Sequence, residues 1–147
     1  MNITELLTED HRDAESLITQ LEGGGDRETF TKLKNALILH TQIEEDIYYS
    51  ALEDFEETEE FIEEARQEHN DIENTLDEMG STEIPSDEFQ ELLFQLKESV
   101  EEHINEEENQ LFPLSESLLG IETLEEMGEK AEQMKSKTES KQLQKFF

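Results

Sequence analysis

The chain contains four histidines, and each is followed by a glutamate four positions on. His40-Thr41-Gln42-Ile43-Glu44-Glu45 has a near-copy further along, His103-Ile104-Asn105-Glu106-Glu107-Glu108. The copy extends outward, with Leu33-Lys34 answered by Leu96-Lys97 and Tyr48-Tyr49 by Leu111-Phe112. His11 and His69 form a second pair, in Asp10-His11-Arg12-Asp13 and Glu68-His69-Asn70-Asp71, with Glu15 and Glu73 following. Imidazole nitrogen and carboxylate oxygen are metal-ligand types, and on a helix two donors at i and i+4 sit one turn apart on one face. The pattern reads as a metal site. Its donors outnumber what one tetrahedral zinc needs, and a mix of imidazole and carboxylate suits iron.

The elements that must position these donors are helices. Leu7, His11, Ala14, Ile18 and Leu21 are spaced four and three apart, which predicts a first helix from about Thr4 or Thr8 to Glu22, ended by Gly23-Gly24-Gly25. Asp26 offers a cap for a second helix reaching about Phe55. Its inward seam is Phe30, Leu33, Leu37, His40, Glu44, Ile47 and Ala51, so a His and a Glu stand where core residues belong. A third helix begins after Thr58 and carries Ile62, Ala65, His69, Ile72, Leu76 and Met79 on one stripe. Ser86 caps a fourth, with Phe89, Leu93, Leu96, Val100, His103, Glu107 and Leu111 inward, until Pro113 ends or kinks it. Short connections imply an all-α, up-down-up-down antiparallel four-helix bundle over residues 1–120. Residues 121–147 form a short C-terminal helical extension, with Leu124, Met127, Ala131 and Met134 on one face; Phe146-Phe147 either dock or fray.

A carboxylate in the middle of an apolar seam is costly unless paired or metal-bound. Glu44 and Glu107 hold such positions, far along the helix from Lys34 and Lys97, and metal is the economical partner. Glu15 and Glu73 lie one position beside the stripe. Tyr48, one turn past Glu44, either reaches the centre with its hydroxyl or fills space as Leu111 does. Ile43, Ile47, Phe94, Ile104 and Leu111 are expected to pack around the centre. Asp10, Asp13, Glu68 and Asp71 are available to orient the imidazoles, although solvent exposure is the expected fate of each.

Composition excludes other classes. With 41 acids against 11 bases the formal net charge is -30, which opposes nucleic acid and anionic membranes as partners. A halophilic host or ordinary solvated helix faces would each account for that acidity. There is no cysteine, so disulfides, thiolate zinc and cysteine-ligated clusters are out. The longest apolar run, Ala36 to Leu39, cannot cross a bilayer, and the first residues lack a signal-peptide layout. A cytoplasmic protein is expected.

His11, His40-x-x-x-Glu44, His69 and His103-x-x-x-Glu107, with Leu111-Phe112-Pro113 behind them, resemble the hemerythrin HHE cation-binding family over about residues 4–120. The resemblance implies a carboxylate-bridged pair of non-haem iron ions with a bridging oxo or hydroxo group. By position, Glu44 and Glu107 would bridge, His11 and His40 would hold one ion, and His69 and His103 the other. Oxygen-carrying members have a histidine where this chain has Glu73, and they place the last carboxylate five residues after its His rather than four. Glu73 as a harder, anionic donor to the His69/His103 iron would favour ferric over ferrous metal. A role in oxidising, reducing peroxide or sensing is therefore expected ahead of carriage, with dioxygen, peroxide or nitric oxide as ligand. Iron buffering or sensing through metal-dependent stability, without turnover, is the alternative.

Overall fold

A computed structural model describes residues 1–144 of the chain. It is all-helical, with five helices and no strand among the described residues. Helix α1 is Ile3–Glu22 and α2 is Arg27–Ile43, the latter running on through a π-helical stretch, Glu44–Tyr49, into Ser50–Leu52. Helix α3 is Glu59–Gly80. Helix α4 is Asp87–Glu106 and likewise passes through a π-helical stretch, Glu107–Leu111, into Phe112–Leu119. Helix α5 is Ile121–Gln144. Phe146-Phe147 lie outside the described residues.

Local chemistry sets the helix ends. The side chains of Asp26 and Ser86 accept hydrogen bonds from the backbone N–H groups of Thr29 and Phe89, each at 3.0 Å. Asn2 does the same for Glu5 at 3.1 Å, so α1 starts ahead of the expected Thr4 or Thr8. Caps of this kind contribute about 1 kcal/mol each by satisfying donors that have no partner within the helix. Gly120 adopts φ +79°, the left-handed conformation that lets the chain break sharply between α4 and α5.

Helix α1 packs on α2 and α4, and α3 packs on α4. Two apolar clusters result. One gathers Ile18, Leu21, Phe30, Leu33, Leu76, Met79 and Phe89. The other gathers Ile3, Leu7, Ile43, Tyr48, Tyr49, Leu52, Ile62, Leu111 and Phe112. All four histidines are buried, as are Glu44 and Glu107.

Helix α5 belongs to the second cluster. Its Leu124, Met127 and Ala131 are buried together with Ile3, Leu6 and Leu7. Gly128 sits under the chain start, where a Cβ would collide with the Met1 carbonyl and press on the Asn2 backbone. A mid-helix glycine costs roughly 1 kcal/mol against alanine, and close approach of another backbone is the reason to bear it.

The π-helical stretches correct two expectations. Each begins at a buried glutamate and adds a residue to the turn, which advances the register by one. The residues that follow Glu44 into the core are therefore Tyr48, Tyr49 and Leu52, while Ile47 and Ala51 are only half-buried. Phe94 does not pack around the centre. It is 60% exposed, because its neighbours Leu93 and Leu96 occupy the inward stripe of α4.

Candidate metal centre

Six of the residues singled out by spacing come together. Glu107 Oε1 lies 3.0 Å from His11 Nε2 and 3.1 Å from His103 Nε2. Glu44 Oε1 lies 3.1 Å from His40 Nε2, 3.0 Å from His69 Nε2 and 3.2 Å from His103 Nε2. The imidazoles form two close pairs, with ring centroids 4.9 Å apart for His11–His40 and 4.9 Å for His69–His103. Across the pairs the spacing widens, to 6.4 Å for His11–His103. Oε1 of each carboxylate thus faces an imidazole of both pairs.

Every Nε2 points inward because every Nδ1 is held from behind. His40 Nδ1 pairs with Asp10 at 3.0 Å, His69 Nδ1 with Glu45 at 3.0 Å, His103 Nδ1 with Glu68 at 3.0 Å and His11 Nδ1 with Glu108 at 2.7 Å. The pattern is cyclic: each of α1 to α4 supplies one carboxylate to the histidine of the next helix. Such contacts fix the ring orientation and make the inward nitrogen a better donor. Asp10 and Glu68 therefore orient imidazoles, whereas Asp13 and Asp71 are exposed, as expected of all four. Spacing alone does not single out Glu45 and Glu108. The signal for them is in the duplicated Glu-Glu pairs, whose first member faces in and whose second supports a neighbouring ring.

Glu73 is not brought to the cluster. It lies exposed on α3, beside the inward stripe that His69, Ile72 and Leu76 occupy. Glu15 pairs with Arg12 on the surface. Tyr48 is buried but turns away, donating to Ser115 Oγ at 2.6 Å. Its neighbour Tyr49 reaches the centre instead, because the widened turn brings it inward; its hydroxyl donates to Glu107 Oε2 at 2.7 Å and stands 3.4 Å from His69 Nε2.

Burial works to lower the His40 pKa, but the charge of Glu44 beside it and the hydrogen bond to Asp10 outweigh it and push it up to about 10. His103 is likewise raised, against burial, by Glu107 and Glu44. Burial would lift Glu44, yet the imidazolium charges of His40 and His103 hold it well below the usual range. Burial, with Glu107 beside it, drives the Tyr49 hydroxyl upward, so it stays a donor.

Among the described residues, two buried side-chain atoms keep no hydrogen-bond partner, His40 Nε2 and Glu44 Oε2. His40 Nε2 is close to Glu44 Oε1 but off the line a hydrogen bond requires. An unpaired buried donor or acceptor costs about 1–3 kcal/mol, and a cation between the two would satisfy both. Donor atoms of His40, Glu44, His103 and Glu107 lie within 4.8 Å of one another, so the set fits a metal ion. A cavity of about 290 Å³ borders the imidazoles, lined by Leu37, Ile72, Val100 and Ile104 together with Asp10 and Lys135.

Comparison with known proteins gives the family of the chain. The chain is 29% identical over 126 residues to an uncharacterized hemerythrin-like protein of Schizosaccharomyces pombe, covering 82% of this chain and 62% of that one. It is 26% identical over 145 residues to a DNA nickase of Nostoc sp., covering 96% of this chain and 41% of that one. The chain thus spans less than two thirds of either relative. No solved structure matches it. The model of the hemerythrin HHE cation-binding domain matches residues 2–115, and the chain belongs to that family.

Proposed function

We propose that the protein holds two non-haem iron ions, one between His11 and His40 and one between His69 and His103, with Glu44 and Glu107 spanning them. The bundle that carries them is the antiparallel up-down-up-down arrangement that the short loops favour. The observation behind the two-ion reading is the facing of each carboxylate: one oxygen of Glu107 stands against His11 and His103, and one of Glu44 against His40, His69 and His103. A single ion would not need two imidazole pairs with a carboxylate between them.

Iron at such a site supplies one-electron chemistry and an open position for a small ligand such as dioxygen, peroxide or nitric oxide. The chain's own residues set the terms. Leu37, Ile72, Val100 and Ile104 line the approach and discourage bulk water. The four outer carboxylates make the imidazoles more electron-rich, which favours the ferric state even though Glu73 stands away from the cluster. Tyr49 holds Glu107 in place and keeps its proton. This balance supports oxidation or peroxide reduction over reversible carriage. The net charge of -30 opposes contact with DNA, so nothing is carried over from the nickase.

The test is the visible spectrum of anaerobic ferrous protein as air is admitted. Rapid conversion to a stable ferric spectrum is expected. A slow, reversible oxygen-dependent band would replace this role with carriage, and absence of iron absorption would end the reading.

A further inference from the structure

Three of the four carboxylates that support the imidazoles are themselves backed by a cation. Arg12 pairs with Glu108, Arg66 with Glu45 at 3.0 Å, and Lys135 with Asp10. The chain has only 11 basic residues, and three of them converge on this one outer layer. Glu68 stands beside the carboxylate of Glu106 instead. Arg12 and Arg66 stand on α1 and α3. Lys135 comes from α5, which lies wholly beyond the residues that the family model matches.

We propose that Lys135 is a positioning residue for the centre, fixing Asp10 so that Asp10 can orient the His40 ring. Asp10 is mostly buried and has two oxygens to satisfy: Oδ2 faces His40 Nδ1 at 3.0 Å, and Oδ1 faces Lys135 Nζ. A carboxylate loaded on one oxygen alone can rotate, and burial penalises its charge. Loaded on both, it is fixed. Among the described residues, His40 Nε2 is the one buried imidazole nitrogen without a hydrogen-bond partner, so its aim depends most on what holds Nδ1. Lys135 is anchored in turn by the docking of α5, through Leu124, Met127, Ala131 and the close approach at Gly128. The seating of α5 is therefore coupled to one histidine of the centre and not to the other three.

The effect on metal rests on the two-ion reading; the link from Lys135 to His40 does not. In metal-loaded protein challenged with a chelator, Asp10→Asn is expected to weaken one of the two ions by roughly 10- to 100-fold. Lys135→Met is expected to weaken the same ion by a smaller factor, and Lys135→Arg to restore it. The double variant Asp10→Asn/Lys135→Met is expected to be no weaker than Asp10→Asn alone, because Lys135 acts through Asp10. In metal-free protein, Lys135→Met is expected to move the His40 imidazole nitrogen resonances and leave those of His11, His69 and His103 in place. No change at His40, equal movement of all four rings, or an additive double variant would overturn the proposal. Wild-type protein that takes up no metal would end the two-ion reading instead, and the metal-free resonances would still decide the Lys135 link.

Discussion

The two halves of the repeat build one scaffold twice, and beside the inward carboxylates they differ by one hydroxyl, Tyr49 in one half against Phe112 in the other. His40, Glu44, Glu45 and Tyr49 of the α2 rod match His103, Glu107, Glu108 and Phe112 of the α4 rod, through the same π-helical widening after the inward glutamate. Tyr49 stacks on His69 with centroids 5.4 Å apart, and Phe112 stacks on His11 at 5.9 Å. Tyr49 carries a hydroxyl, which holds Glu107 Oε2; Phe112 carries none, and Glu44 Oε2 is left without a partner among the described residues. Glu107 is held at both of its oxygens, and Glu44 at Oε1 alone. Symmetry of the donors sets where metal could be held, and the missing hydroxyl leaves one carboxylate oxygen without a partner.

Removing either carboxylate should have the largest effect. Glu44→Ala and Glu107→Ala are each expected to abolish tight binding of both ions, since each faces both imidazole pairs, while His11→Ala removes one; metal content per chain checks this. Next comes pH. Because the His40 pKa is raised from 6.5 to about 10 in the metal-free fold, its contribution to stability is complete below 6.5 and is lost as pH rises through about 10. A metal must displace that proton, so apparent affinity should climb by about tenfold per pH unit for each proton released across this window. Titration with metal at several pH values reads both the slope and the proton release.

The oxygen itself is tested by exchange. Tyr49→Phe orphans Glu107 Oε2 and should cost about 1–3 kcal/mol in metal-free protein, measured by denaturant unfolding. Phe112→Tyr should recover a fraction of that by reaching Glu44 Oε2. If Tyr49→Phe left stability unchanged, the two halves would be equivalent and the contrast void. The smallest effect belongs to Glu73→Ala: from its exposed position it should change stability by less than about 0.5 kcal/mol and leave metal content as it was.

Seam positions are legible in the sequence because a His and a Glu set into an apolar stripe are costly to bury without a cation; His11, His40, Glu44, His69, His103 and Glu107 follow from period alone. Glu45 and Glu108 are not, since an acid next to the stripe in a chain of charge -30 reads as solvated. Regular α-helical spacing puts residue i+4 inward and so favours Tyr48 over Tyr49, and nothing local in Glu44–Tyr49 announces the wider turn. Glu73 shares the i+4 spacing of Glu44 and Glu107, but its α3 stripe continues through Ile72 and Leu76 and leaves it outside.

The most direct test is the iron content of protein purified from iron-supplemented cells, read together with its X-ray absorption spectrum. Two irons per chain with a short iron–iron scattering path are predicted. One iron per chain, or none, would contradict the account.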